Sequence, residues 1–286
     1  MLKLQTKVEY GTSPVKLSYS ESTVLLGSCF ADNMGARMSD AGFDVCVNPF
    51  GTLYNPVSVR NAAERLESGV PFTEADCVEM GAGAGLVCSF HHHTSFARRT
   101  AAEFLEAANT SLAAAHECWR RAGLVVLTLG SAYCFRHLGR DMVVSNCLKR
   151  PAREFARERL STDEAESLLA GLVSDFPDKR FIITVSPIRH MADGAHANQL
   201  SKGTLLLAAD SVVDGERIIY FPAYEIVMDE LRDYRFYAED MVHPSAQAVD
   251  YLWERFCDFA LPEGERQTLL DNMKAFRCRQ HRPLAR

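Results

Sequence analysis

Five short apolar runs constrain this chain most. They are STVLLGS (22–28), GFDVCVNPF (42–50), GLVVLTLGS (123–131), KRFIITVSP (179–187) and RIIYFPAY (217–224). A strand buried on one face alternates apolar with polar residues. Near-continuous Val, Ile and Leu runs suit strands buried on both faces of a parallel sheet. Between the runs lie helical patterns over 30–42, 55–69, 100–123, 161–176, 197–213 and 244–261. Asn55-Pro56 opens the second and Gly69 closes it, a cap and first-turn pair followed by a stop. Asp163 and Glu164 stand in the first turn of the fourth, where carboxylates favour the helix dipole. This alternation predicts an α/β fold: a three-layer α/β/α sandwich around a central, mostly parallel, five-stranded sheet. Two segments break the rhythm: 70–99, rich in Gly and His, and 133–147, which reads as a hairpin turning at Gly139. Both are expected as loop insertions at the C-terminal end of the strands. No repeat or linker is visible, so one domain is expected over 1–261, followed by a C-terminal helix and basic tail over 262–286.

Composition excludes several function classes. The chain has 286 residues, 47% of them hydrophobic, enough to bury a core without disulfide or metal staples. A formal charge of −6 argues against a broad nucleic-acid surface, which needs a basic face. Arg98-Arg99, Lys149-Arg150 and the tail from Arg277 read as solvated faces. The longest uncharged apolar run, LVVLTLGSAYCF, falls short of the ~20 residues of a membrane span. MLKLQTKVEYGT has no apolar h-region, so a cytoplasmic protein without a signal peptide or membrane partner is expected. Nine scattered cysteines without a CxxC pair argue against a disulfide framework and a Cys-based zinc site. Cys46 and Cys134, set in apolar runs, read as buried thiols, and Trp119 and Trp253 as core.

In open α/β sheets, ligands bind beyond the carboxyl ends of the strands. That rule selects Ser28 and Cys29 after the first run and Asn48 and Gly51 after the second. It selects Gly130 and Ser131 after the third, and Ser186, Arg189 and His190 after the fourth. AEDMVHPSA (238–246) adds Asp240 and His243 in a D-x-x-H spacing, with Pro244 where a helix is expected to begin. A turn of this length folds the carboxylate onto the imidazole. One ring nitrogen is then fixed, and the other is left free as a base. In FHHHTSFAR (90–98), adjacent histidines on an extended chain point to opposite sides. Only His91 and His93 share a side, without evident further ligands, so they are read as lining a site loop and no metal is assigned. Arg232, Asp233 and Arg235 read as an ion-pair cluster bracing the Asp240 loop.

GSCFA (27–31), NPFGTLYNP (48–56), LTLGSAY (127–133), VVSNCLK (143–149), VSPIRHMADG (185–194), SKGTLL (201–206) and FPAYEIVMDELRDYRFYAEDMVHPSA (221–246) together resemble the GSCFA family, a branch of the SGNH/GDSL-like hydrolases, from about residue 20 to 260. The resemblance implies an SGNH-hydrolase/flavodoxin-like fold and a site made of four blocks. The last block, Asp-x-x-His, matches Asp240 and His243. Gly51 stands for the glycine whose N–H serves the oxyanion hole. Gly130 opens the third block, but Ala132 occupies the position of the usual oxyanion Asn; Asn146 or Asn48 is the expected replacement. In the first block, alignment on Gly27 puts Cys29 at the nucleophile and Ser28 at the preceding Asp, whereas alignment on the serine favours Ser28. The glycine register is the preferred one. Gly27 permits the tight turn, and Cys29 then opens a helix whose dipole and N–H groups favour a thiolate. In such places a thiol pKa of ~8.5 falls to roughly 3.5–7.5.

The expected activity is that of an acyl-ester hydrolase or O-acyltransferase. Its substrate class would be an O-acyl carbohydrate or small metabolite, attacked through a Cys/Ser–His–Asp triad with Cys29 also contributing its N–H to the oxyanion hole. Gly130, Ser131, Asn146, Asn48, Ser186, Arg189, His190, His91 and His93 are the expected substrate contacts. Hydrolysis needs no cofactor; coenzyme A would serve only a transferase. The alternatives are a non-catalytic protein binding a ligand or partner in the same crevice, and a metal-dependent hydrolase built on the histidine loop.

Overall fold

A computed structural model describes residues 5–280, so the last residues of the basic tail, 281–286, lie outside the described residues. The first half runs β1 (Thr23–Gly27), α1 (Cys29–Asp40), β2 (Val45–Val47), α2 (Pro56–Ser68), β3 (Val78–Glu79), β4 (Val87–Cys88), α3 (Ala101–Arg121) and β5 (Leu124–Leu129). The second half runs β6 (Tyr133–His137), β7 (Met142–Val144), β8 (Phe155–Arg159), α4 (Thr162–Asp175), β9 (Arg180–Val185), α5 (Ala195–Val212), β10 (Ile218–Tyr220), α6 (Ala223–Glu225), α7 (Ala246–Ala260) and α8 (Arg266–Gln280).

Five strands pair in the order β10-β9-β5-β1-β2, every pairing parallel. The period-2 pleat splits each apolar run between two cores. Val24, Leu26, Val125, Leu127, Phe181 and Ile183 face one side and pack with Leu66, Leu112, Leu169 and Leu205 of α2–α5. Leu25, Val126, Ile182 and Ile219 face the other and pack with Phe30 and Met34 of α1 and Leu252 and Phe256 of α7. The result is the three-layer sandwich that the unbroken runs require. Each fully buried Leu or Phe on these faces contributes ~2 kcal/mol of transfer free energy. Among the described residues, no helix is long and apolar enough to cross a membrane.

Helix boundaries follow cap chemistry. Asn55 Oδ1 accepts from Ser58 N at 2.9 Å, and Gly69 closes α2 with left-handed φ 60°. Thr100 with Glu103, and Ser161 with Glu164, form reciprocal capping boxes for α3 and α4. The second run yields only the three residues Val45–Val47, because Asn48 turns the chain out of the sheet with φ 41°. The predicted hairpin exists as β6–β7, but it also carries β8, an FARER strand whose charges hide its pattern. Segment 70–99 contains the small antiparallel pair β3–β4.

The chain runs from β1 out to β2, then returns to the other side of β1 as β5. That reversal opens a crevice beyond the ends of β1 and β5. The two strands close tightly there. Gly27 has φ 141°, and a Cβ on it would sit 2.1 Å from the Thr128 carbonyl oxygen. No other residue type satisfies both constraints.

Candidate active site

A cleft of about 650 Å³ lies over this crevice, the size of a small-molecule site. Cys29, Tyr54, Asn55, Ser131, Asn146, Arg189, His190, Asp240 and His243 all line it. Tyr133, Phe135, Val144, Ile188 and Val242 supply apolar lining to it.

Ser28 and Cys29 have opposite fates. Ser28 is the N-cap of α1: its Oγ accepts from Phe30 N at 3.2 Å and lies 3.4 Å from Thr128 Oγ1. Its N–H donates to Thr128, and only 1% of the residue is exposed. This corrects the serine register: the hydroxyl is spent on starting the helix and does not line the cleft. Cys29 is the first helical residue and does line it. Its Sγ is 3.7 Å from the Tyr54 hydroxyl, which itself accepts from Thr52 Oγ1 at 3.3 Å. The expected depression of the thiol pKa is not found. Burial pushes the Cys29 thiol up, the Asp32 charge adds to the rise, and the Tyr54 hydrogen bond works against it. Desolvation outweighs the helix start here.

The D-x-x-H turn forms as its spacing requires. Asp240 Oδ2 is 2.6 Å from His243 Nδ1, while Oδ1 accepts from Val242 N at 2.9 Å and His243 N at 3.0 Å. Those backbone donors, then the imidazole, hold the carboxyl down at about 2. Nδ1 is therefore the bonded nitrogen, and Nε2 is the one left for chemistry. The helix begins later than Pro244 suggests. Pro244 bridges to Tyr237, and Ser245 caps α7 by accepting from Ala248 N at 3.3 Å. Arg235 and Asp233 pair only at 3.7 Å, on the exposed surface.

Several expected contacts are structural instead. The Gly51 N–H donates to Asn48 O at 2.7 Å, so it is not free for an oxyanion; a Cβ there would sit 2.3 Å from His93 Cβ. Asn48 is buried, accepting from Gly27 N at 2.8 Å and donating to Asp32 Oδ1 at 2.7 Å. It braces the β1 turn and is neither a cleft residue nor a substitute oxyanion donor. Gly130 and Ser131 both donate their N–H groups to Tyr54 O, at 2.9 and 2.7 Å; Ser131 lines the cleft and Gly130 does not. Ser186 is fully buried, its Oγ accepting from Ile188 N at 3.3 Å. His91 and His93 also miss the cleft. His91 borders a separate small pocket beside Phe72, and His93 caps a 3-10 turn by accepting from Ser95 N at 3.3 Å. Their neighbour His92 is fully buried among aromatic rings, where burial holds its imidazole down at about 3. Among the described residues, no three His, Cys, Asp or Glu side chains come together as a metal-holding group.

Asn146 does reach the cleft. Its Oδ1 accepts from Leu148 N at 2.8 Å, leaving the amide NH2 to donate. Asn55 does the same with its Oδ1 on Ser58 N. Sequence reasoning took Asn55 only as a cap; the residues NP carried no further signal. Tyr54, Arg157 and Lys202 were also missed. The Arg157 guanidinium lies 3.8 Å over the Tyr133 ring and pairs with Asp193 across the mouth. Lys202 is buried behind the cleft, donating to Gly130 O at 2.6 Å and Ser186 O at 2.7 Å. It thereby ties the ends of β5 and β9 together. His190 packs edge-on to Tyr54 with ring centroids 5.7 Å apart, and its imidazole is held down at about 4, by burial first and then by the Lys202 charge.

A family model for the GSCFA family matches residues 22–256, spanning the sheet, the cleft and both chemical turns. The chain belongs to the GSCFA family. No curated protein matches it in a sequence comparison. This GSCFA chain thus presents its name-giving pentapeptide, Gly27–Ala31, as the strand-to-helix turn that seats Cys29 in the cleft.

Proposed function

We propose that this protein is an SGNH-like acyl-ester hydrolase or O-acyltransferase, acting on an O-acyl group of a carbohydrate or small metabolite. The observation that carries the reading is one cleft lined both by the Cys29 thiol and by an Asp240–His243 pair whose Nε2 is left free. In the proposed cycle His243 Nε2 takes the Cys29 proton as Sγ adds to the ester carbonyl. The tetrahedral oxyanion collapses, the alcohol leaves with the proton from His243, and a thioester remains on Cys29. Water, or an alcohol in a transferase, then attacks that thioester with His243 again as base; the C–S bond breaks, the acid or new ester leaves, and the proton returns to Cys29 Sγ. Asp240 holds the ring and stabilises the imidazolium. The Tyr54 hydroxyl, which accepts a hydrogen bond from Thr52 Oγ1, donates its own hydrogen bond to the thiolate. The Cys29 N–H, one of the first amides a helix leaves without an internal acceptor, and the NH2 groups of Asn55 and Asn146 are the donors offered to the oxyanion.

The test is a pair of variants on aryl acetates. Cys29→Ala is expected to lose at least ~10³-fold in kcat/KM, on the scale of removing a nucleophile. Ser28→Ala should keep kcat/KM within a few-fold while losing ~1 kcal/mol of stability with its cap. Equal activity in both variants and wild type overturns the reading. The upward push of burial on the Cys29 thiol favours a second reading, a protein that binds a ligand in this cleft without turning it over. That reading is selected if Cys29 alkylates no faster than the other thiols and no aryl ester is cleaved.

A further inference from the structure

The charged side chains that line the cleft are not all paired with one another. Arg157 is paired with Asp193, and His243 with Asp240. Arg189 lines the same cleft, and among the described residues no carboxylate pairs with it. Its Nε is sealed from solvent and meets no acceptor there. Its neighbours are hydroxyls and another cation. Burial raises the phenols of Tyr224 and Tyr237; the Arg189 charge beside both opposes that rise, and at Tyr237 a hydrogen bond from the guanidinium opposes it too. Lys202, fully buried and bonded only to two carbonyls, is held down at about 7 by burial first and by Arg189 second. The Arg189 charge thus reaches Lys202, and among the described residues no carboxylate forms an ion pair with either. A half-buried guanidinium with an unmet donor is costly to hold in that state. An anion in the cleft supplies the counter-charge that Arg189 lacks, and the outer edge of a guanidinium fits carboxylate and phosphate oxygens.

We propose that the substrate of this cleft carries an anionic group, carboxylate or phosphate, seated against Arg189. This rests on taking the cleft as the substrate site. It narrows the substrate class from any small ester to an acidic one, with the apolar lining residues Tyr133, Phe135 and Val144 left for the uncharged part.

The experiment needs no turnover. Inorganic phosphate and succinate are titrated separately into the full chain at constant ionic strength, with chloride as the balancing ion, and thermal unfolding is followed. An anion that binds only the folded state raises the transition temperature by mass action. Wild type is expected to respond to phosphate or to succinate, and whichever responds names the oxyanion. Arg189→Gln should weaken the apparent affinity at least tenfold. Arg189→Lys, which keeps the charge without the fork, should fall between the two and serves alone if the Gln variant does not fold. Absence of any response in wild type, or equal response in wild type and the variants, overturns the proposal. Anion binding lost in Arg189→Gln, together with no cleavage of aryl acetates by wild type, keeps this proposal and removes the esterase reading. The reverse pattern does the opposite.

Discussion

The two halves of the site are built on different physics. The wall made by Cys29, Tyr54 and His190 grows out of the sheet, and burial sets its protonation. Burial raises the Cys29 thiol, lifts the Tyr54 phenol to about 12 and lowers the His190 imidazole to about 4. The Asp240–His243 turn is roughly half exposed, with side-chain exposures of 49% and 43%, and hydrogen bonds, not burial, set the Asp240 carboxyl. A group in the first region answers to what surrounds it. A group in the second answers to the few donors it touches, and most of those are within its own turn. The wall therefore depends on the whole fold, whereas the dyad depends on four residues of chain.

The largest effect that probes this contrast is removal of the imidazole. His243→Ala should lower kcat/KM on aryl acetates by ~10²–10⁴-fold, the range of a positioned acid–base group. Because the turn is self-contained and exposed, thermal stability should change little. A large drop in unfolding temperature would show that the turn is coupled to the core after all.

Next in size is the acid response of the wall. The folded His190 ring binds its proton near pH 4, an unfolded ring near ~6.5. Between those values the unfolded state carries more protons. Stability is thus fully present above pH 6.5, falls as the pH drops through the window, and levels near 4. The full contribution is on the order of 3 kcal/mol. His92, held down at about 3, acts in the same direction over a window reaching lower. Urea midpoints measured from pH 7 to 4.5 should decline, and less steeply in His190→Gln. Parallel declines in the two proteins would show that His190 is not held neutral by burial.

Much of this was legible in the sequence. The unbroken apolar runs gave the parallel sheet because residues on both faces must be buried, and that logic holds at Val24–Leu25–Leu26 residue by residue. Asp240 and His243 were legible because their contact is local, closed over three residues. The glycine register separated Cys29 from Ser28 because Gly27 marks the end of β1. What failed was everything decided by tertiary hydrogen bonds. Gly51 stood in a plausible position, yet its N–H belongs to Asn48 O. Asn48 looked like a donor for substrate, yet its side chain is spent on Gly27 and Asp32. Tyr54, Arg157 and Lys202 gave no signal because their partners lie far away in sequence, Lys202 reaching back 72 residues to Gly130.

The smallest predicted effect sharpens the comparison most. Tyr54→Phe removes one hydrogen bond from sulfur while leaving the burial of Cys29 in place. Iodoacetamide labelling of Cys29 against pH should show the thiol pKa rising by less than about one unit, the scale of a single modest hydrogen bond. A larger rise would mean that the wall, like the turn, is ruled by its donors.

Successive residues of a helix point about 100° apart. At the mouth of α1 the backbone is still extended at Ser28, whose side chain folds back to the amide of Phe30, and helical turning begins at Cys29, whose side chain points out over the crevice. Transposing the dipeptide to Cys-Ser would put the sulfur at the buried cap position, with the loss of the Ser28 cap, and a hydroxyl in the cleft. The spelling order of two adjacent letters therefore selects which element, sulfur or oxygen, meets an incoming molecule.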